Sequence, residues 1–387
     1  MFLIDKPYVS DFLIKTLKDN NFPVISTQNA RELMPEEALN WISEEEAIAI
    51  INNVPNTSLY LNSENGTAWI YNNLGSSAKA KHSSIFKDKF RFRELLKDSF
   101  PDLFYKVVTI EEIQKLSLYG IHFPFVIKPS VGFFSIGVYT IHNLQEWEIT
   151  KKELKYENLQ TIYPKEVLNT SSFIIEGYIK GEEYAVDCYF NNIGEVVILN
   201  ILHHKFSSSS DINDRVYTTS KEIILNYKQL IEEFLQTISN KTGLRNFPAH
   251  VELRIDDTGR ICPIEVNPLR FGGICSTGDL TWHAYGINSY EYFMLNKNPD
   301  WENIFATRNN KKYSNIVLNN NSGFAPSEIK HFDYDLLTKE FENILELRKM
   351  DIIKYGVFGF IFTETSPENE EELNNILISD LKKYITV

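Results

Sequence analysis

The chain has 387 residues, which at about 150 per domain means two or three domains and a core too large for a disulfide scaffold. Its 43% hydrophobic and 24% charged residues exclude a disordered polymer and describe a folded globular protein. With 39 Lys and Arg against 52 Asp and Glu, the net charge of −13 repels nucleic acid and anionic lipid, and neither is an expected partner.

The run Phe2-Leu3-Ile4 predicts a strand, followed by a helix whose Phe12, Leu13, Thr16 and Leu17 share one face. A second strand is expected at Val24-Ile25. Ser43 with Glu46 three residues on predicts a capping box opening a helix through Ala47, Ile48 and Ile51, and Ser58–Leu61 reads as a third strand. This βαβαβ order over residues 1–85 implies a parallel sheet. No G-x-G-x-x-G follows the first strand, which disfavours a dinucleotide site there. The small, polar stretch Gly75–Ser84 reads as a linker. Met1–Tyr8 has no basic region ahead of a long apolar run, and no stretch of about 18 apolar residues occurs anywhere, so neither secretion nor a membrane span is expected. Cys188, Cys262 and Cys275 have no metal-type spacing and read as reduced thiols of a cytoplasmic protein.

A helix over about Asp88–Lys97 opens the middle of the chain, followed by strand Val107-Val108, a short helix over Ile110–Leu118 and strand Phe123–Lys128. The loop Ser130–Gly137, with two glycines, joins it to strand Val138–Ile141. Strands are expected at Phe173–Glu176, Glu183–Phe190 and Glu195–Leu202, with Asn191–Gly194 as a turn and Ser207–Ser210 as a loop. Leu230, Ile231, Phe234, Leu235 and Ile238 define a helix that Gly243 caps. From residue 305 the pattern predicts strand Ile316–Leu318, a helix near Tyr334–Leu347, strand Val357–Thr363 and a last helix over Glu368–Tyr384. That makes residues 301–387 a small α/β lobe behind a domain of residues 86–300.

The richest segment is His250–Asn267, two alternating strands joined by Asp-Thr-Gly. With Thr258-Gly259 as the loop, Glu252 falls opposite Glu265 on one face, and Asn267 shares that face. Like charges facing across a ladder are unfavourable, so a cation belongs between them. Two carboxylates and an amide oxygen suit Mg²⁺ or Mn²⁺. The competing reading is a solvated face of the hairpin with Arg254 as salt-bridge partner. Beyond the hairpin, Arg270 and the Gly272-Gly273 pair supply a guanidinium and close backbone approach for an anion.

In these residues the chain resembles the ATP-grasp enzymes of the carboxylate–amine ligase branch, over about Lys89–Gly273. The resemblance is carried by Lys89 at a helix start, then Val126-Ile127-Lys128-Pro129 before a loop with Gly132 and Gly137. Next come Glu176-Gly177-Tyr178-Ile179-Lys180-Gly181-Glu182-Glu183, a helix, and Glu252 to Arg270. It implies an α/β (α+β) ATP-grasp fold, with residues 1–85 as the lobe that precedes the grasp domain and helps wall the cleft. It further implies that Lys89 and Lys128 hold phosphates, that Gly132 lies in the loop over them, that Glu176 and Ile179 meet adenine, and that Glu183 meets the ribose. Asp187 supports the same face. Glu252, Glu265 and Asn267 would hold Mg²⁺ or Mn²⁺, and Arg270 with Gly273 would stabilise the reacting centre.

The implied reaction activates a carboxylate with ATP to an acyl phosphate, which an amine then converts to an amide with release of ADP and phosphate. A small-molecule kinase and a non-catalytic nucleotide-binding module remain as alternatives. The partners are a small carboxylate, such as an amino acid, and an amine, and the family commonly forms homodimers. Arg215, near His203, His204, Lys205, Asp211 and Asp214, is a candidate substrate contact. His250 and His283 read as structural histidines, and Cys275 as a packing residue.

Overall fold

Four short strands open the computed structural model, which describes residues 1–132, 137–156, 169–207, 214–308 and 310–387. They are β1 (Phe2–Leu3), β2 (Pro23–Ile25), β3 (Asn40–Ile42) and β4 (Tyr60–Leu61), all parallel, in the order β3-β2-β1-β4. The parallel sheet is the one expected, with β3 added at its edge. Trp41-Ile42, set between Asn40 and Ser43, gives β3 an apolar pair too short to stand out in the sequence. Helix Asp11–Asp19 buries Leu13, Thr16 and Leu17, and Ser43 caps helix Glu44–Asn53 by accepting from the Glu46 amide.

The expected linker is instead a helix, Ala78–Lys87, capped by Ser77. Its buried face is made of Ala80, Ser83 and Phe86, so a polar composition conceals a face small enough to lie close against a neighbour. Its last residue, Lys87, and the next helix, Lys89–Leu96, deliver two lysines to one place.

The strands β5 (Tyr105–Thr109), β6 (Phe125–Val131), β7 (Tyr139–Ile141) and β8 (Asn169–Gly177) form an antiparallel sheet in the order β5-β8-β6-β7. The short helix after β5 spans Ile110–Ile113 rather than reaching Leu118. A larger sheet is built from β9 (Glu182–Phe190), β10 (Val196–Lys205), β11 (Val216–Thr219), β12 (Phe247–Ile255), β13 (Ile261–Pro268) and β14 (Lys312–Asn319). After β15 (His331–Phe332), the strands β16 (Ile344–Lys349) and β17 (Val357–Thr365) complete it, and β18 (Ile385–Thr386) pairs only with β15. The large sheet runs β13-β12-β9-β10-β11-β14-β17-β16, antiparallel throughout. Helix Lys221–Thr242 packs on β10 and ends at Gly243, whose φ of 70° is the left-handed cap the sequence called for.

Residues 301–387 therefore extend the large sheet with three strands, β14, β16 and β17, and have only the two-stranded pair β15-β18 as a sheet of their own. Their further core, with Ile316, Leu318, Phe332, Phe358, Leu373 and Tyr384, is a cluster separate from the main one. Only Tyr334–Thr338 of the expected helix is helical, because Ile344–Lys349 pairs with β17 as an edge strand. The last helix ends at Ile378, short of Tyr384. Cys188, Cys262 and Cys275 are free thiols. Among the described residues no helix is long and apolar enough to cross a membrane.

Candidate active site

β12 and β13 place Glu252 directly opposite Glu265. Two departures from the expected hairpin cancel to give this pairing. Ile255 pairs with Ile261, so the loop is one residue longer than Thr258-Gly259, and Gly259 takes a φ of 81°. A bulge then leaves Ile264 without a partner and restores the register. Arg93, on helix Lys89–Leu96, donates from Nη2 to the Ile264 carbonyl at 2.9 Å, which ties the bulge to a neighbouring element.

A cation does stand beside the pair, on one carboxylate: Lys89 has its Nζ 2.6 Å from Glu265 Oε2. Burial favours the neutral form of Glu265, but the charge and hydrogen bond of Lys89 hold its carboxyl down at about 2. Glu252 is pushed the other way, well above the usual carboxylate range, by burial and by the charges of Glu265, Glu183 and Asp214. Its ion-pair partner among the described residues is His250, with Nε2 3.8 Å away. Asn267 Nδ2 lies 3.4 Å from Glu252 Oε1 and 3.2 Å from Glu265 Oε1, so the three side chains do converge.

Arg254 does not serve this pair. Its Nε donates to Glu183 Oε2 at 3.0 Å and its Nη1 to the Ile179 carbonyl at 2.6 Å, while His204 Nδ1 lies 2.9 Å from Glu183 Oε1. Glu183 and Ile179 are thus brought together by Arg254. Glu176 is different. Expected against adenine, it is almost fully buried between Arg93 Nε at 2.5 Å and Lys128 Nζ at 2.6 Å. Burial opposes its ionisation, yet these two cations hold its carboxyl down at about 2. Glu176 therefore fixes Lys128 in place, with one cation on each of its carboxylate oxygens.

Lys87 and Lys89 both donate to the Gly132 carbonyl, at 3.3 and 3.4 Å. The Phe133–Ile136 part of the expected phosphate loop lies outside the described residues, as do Ser208–Ser210 and Asp211. Arg270 donates from Nη2 to Glu64 Oε1 at 2.6 Å, and Glu64 Oε2 accepts from Lys87 at 2.7 Å. Glu64 and Lys87 were not singled out from sequence. Lys87 had a signal, since it precedes Lys89 by two residues, whereas nothing local marks a glutamate in the loop after β4.

The turn after β13 holds Leu269, Ile274 and Cys275 at φ of 62°, 55° and 58°, an unusual concentration of left-handed residues without glycine. Gly272 is needed within it for room, because a Cβ there would come within 2.3 Å of Thr277 Oγ1. Its amide donates to Asp187 Oδ1 at 3.1 Å, and the same oxygen lies 2.7 Å from His250 Nδ1. Asp187 thus anchors this turn and His250 rather than supporting Glu183. These groups open on a cleft of about 510 Å³ whose lining includes Glu64, Asp214, Glu252, Glu265, Arg270 and Gly273.

Arg215 is not part of the cleft lining. It is buried, and its guanidinium donates to the carbonyls of Ile376 at 3.1 Å, Asn319 at 3.3 Å and Ser379, which fastens the C-terminal helix to the large sheet. Arg215→Met should therefore lower stability by about 2–4 kcal/mol, since buried carbonyls lose charged donors. Urea denaturation measures that loss, and KM values for ATP and the carboxylate should stay within about two-fold, well under 1 kcal/mol. A KM shift without a stability loss would restore Arg215 to the substrate.

Residues 121–278 match the family model of the ATP-grasp domain. This chain carries an ATP-grasp domain. The match starts ahead of β6 and ends past Gly273, and so contains Lys128, Glu176, Glu183, both hairpin glutamates and Arg270. Comparison with curated proteins finds no match. Among solved structures, the chain is similar to L-amino acid ligase from Bacillus licheniformis, with a TM-score of 0.67 and 17% identity over 100% of this chain and 97% of the other. N5-carboxyaminoimidazole ribonucleotide synthetase from Thermotoga maritima gives 0.63 and 14%, over 100% and 98%. Biotin carboxylase from Campylobacter jejuni, a complex with β-γ-ATP, gives 0.64 and 11%, over 100% and 91%. The likeness is one of fold along the whole chain, and Lys89 and Glu64 lie ahead of the matched ATP-grasp segment.

Proposed function

We propose that this protein is an ATP-dependent ligase that joins a carboxylate to an amine through an acyl phosphate, releasing ADP and phosphate. The observation that carries this reading is the opposed pair Glu252 and Glu265, with Lys89 on one carboxylate and Arg270 in the same cleft. A module that only binds nucleotide has no need of a second buried carboxylate opposed to the first beside a phosphate-binding lysine.

The residues fit a divalent cation. Among the described residues no group of three or more His, Cys, Asp and Glu forms a metal cage. Mg²⁺ does not require one, because it keeps several waters and takes other ligands from substrate phosphates, with one or two carboxylates from the protein. Glu252 has no Lys or Arg paired with it among the described residues, only the His250 ring 3.8 Å away, and Asn267 can turn its amide oxygen toward the carboxylates, since amide orientation is interchangeable. Bound there, Mg²⁺ would neutralise charge on the transferring phosphoryl group.

The chain's own residues supply the rest. Lys128, fixed by Glu176, and Lys89 meet phosphate oxygens and replace lost hydration. Glu183, oriented by Arg254 and His204, accepts hydrogen bonds from ribose hydroxyls. The substrate carboxylate attacks the γ-phosphorus and ADP leaves. An amine nitrogen then bonds to the acyl carbon to give a tetrahedral oxyanion, which collapses as the carbon–oxygen bond to phosphate breaks and the amine proton is lost. Arg270 and the amide of Gly273 stabilise the oxyanion that forms between these events.

The test is incubation with ATP, Mg²⁺ and pooled amino acids and small carboxylates, read by mass spectrometry. Substrate-dependent ADP, phosphate and a condensed mass are expected. A phosphorylated product instead of a condensed one would make the protein a kinase, and AMP would rule out the acyl phosphate.

A further inference from the structure

The outer half of the cleft has walls that phosphate chemistry does not use. Tyr8, after β1, and Tyr355, on the short helix Ile352–Tyr355, meet edge to face with ring centroids 6.2 Å apart and planes at 90°. Val317 of β14 and Val357 and Phe360 of β17 continue this surface, with Ile274 from the turn after β13. An apolar wall drawn from the first, middle and last parts of the chain suits an apolar or aromatic body, for which aromatic side chains supply large contact area.

Within this surround stands an unsatisfied acceptor. Asn315 of β14 lines the cleft and is 1% exposed, and its Oδ1 has no hydrogen-bond partner among the described residues. Buried amide oxygens are paired as a rule, and an exception calls for an explanation. A bound N–H group is the partner this oxygen lacks. The same row of the sheet favours a cationic nitrogen, because Asn315 pairs with Tyr217, whose hydroxyl donates to Asp214 at 2.8 Å. Asp214 and Glu252 both line the cleft and add carboxyl oxygens to which an ammonium N–H can donate.

We propose that the outer half of the cleft seats the amine substrate, and that it selects primary amines on an uncharged apolar or aromatic body. The nitrogen donates to Asn315 Oδ1 while the body packs against Tyr8, Tyr355 and Phe360. Calling this molecule a substrate rests on the ligase reading, whereas the seat is a binding property measured without turnover.

The experiment is calorimetric titration of the full chain, loaded with Mg²⁺ and a non-hydrolysable ATP analogue, with three probes: phenylalaninamide, N-acetylphenylalaninamide and aspartic acid α-amide. Phenylalaninamide should bind about ten-fold or more tightly than either of the others. Asn315→Leu, of similar size, should abolish the advantage over the acetylated probe. Tyr355→Ala, on a partly exposed residue, should weaken phenylalaninamide about ten-fold and serves if Asn315→Leu does not fold. Equal binding of the free and acetylated amines, preference for the acidic body, or no binding of phenylalaninamide at millimolar concentration would each overturn the proposal. Selective binding with no condensed product from any carboxylate would keep the seat and remove the ligase. Amide formation confined to charged amines would keep the ligase and remove the seat.

Discussion

Glu265→Gln should reduce ATP-dependent turnover by about 10²- to 10³-fold, the scale on which one electrostatic contact to developing charge acts. Two consequences of the substitution reinforce each other. The cation site loses the carboxylate that ionises most readily, and Lys89, which is 8% exposed at its side chain, loses its 2.6 Å partner. An unpaired buried charge is strongly unfavourable, typically by about 3–5 kcal/mol. Glu252 offsets part of that cost, because without a like charge opposite it ionises at lower pH and becomes the counterion of Lys89. The expected net loss of stability in the nucleotide-free protein is thus about 1–3 kcal/mol. ADP release measures the first effect and urea denaturation the second. Turnover within about ten-fold of the parent, roughly 1.4 kcal/mol in the barrier, would take Glu265 out of the reaction.

Arg93→Met has the larger effect on stability. Arg93 holds both Glu176 and the carbonyl of the Ile264 bulge, so its loss leaves Glu176 with Lys128 alone and the bulge without its donor. A loss of about 3–5 kcal/mol is expected at neutral pH. The pH dependence distinguishes this from simple packing. Glu176 has a carboxyl at about 2 in the fold against 4.5 as its ordinary value, so its contribution is complete above 4.5 and disappears as pH falls toward 2. In the parent, stability should decline through that window on account of this group. In Arg93→Met the decline should be shallower, because less depression remains to be lost. Urea midpoints across the window provide the measurement, and parallel curves for the two proteins would refute the account.

The glutamate hairpin was readable because a period of two and an Asp-Thr-Gly turn constrain which residues face one another. Even there the loop length was off by one, and the pairing came out correctly only because the bulge at Ile264 compensates. A bulge leaves no mark in a single sequence. The order of lysines and glutamates along the chain indicated an ATP-grasp domain, since each motif sits on a locally recognisable element. Roles that depend on tertiary neighbours were not readable. Glu176 has the sequence context of a hinge residue, but Arg93 is 83 residues away and decides what the carboxylate does. Arg215 has the type of a substrate clamp, but its partners lie more than 100 residues downstream, at Asn319 and Ile376. Alternation failed to reveal the edge strand Ile344–Lys349, whose apolar residues also satisfy a helical spacing.

Continuity of the large sheet from β13 to β16 has a bearing on how such an enzyme diversifies. The hairpin that carries Glu252 and Glu265 and the strands that carry Asn315, Val317 and Phe360 are separated by β9, β10 and β11 within one hydrogen-bonded layer. On the proposed reading, chemistry and selectivity fall on different strands of a shared platform. The register that opposes the two glutamates is set by the pairing of β12 with β13, three strands away from the cleft face of β14 and β17. A library confined to those positions would explore new amines while the phosphoryl-transfer machinery stays as it is.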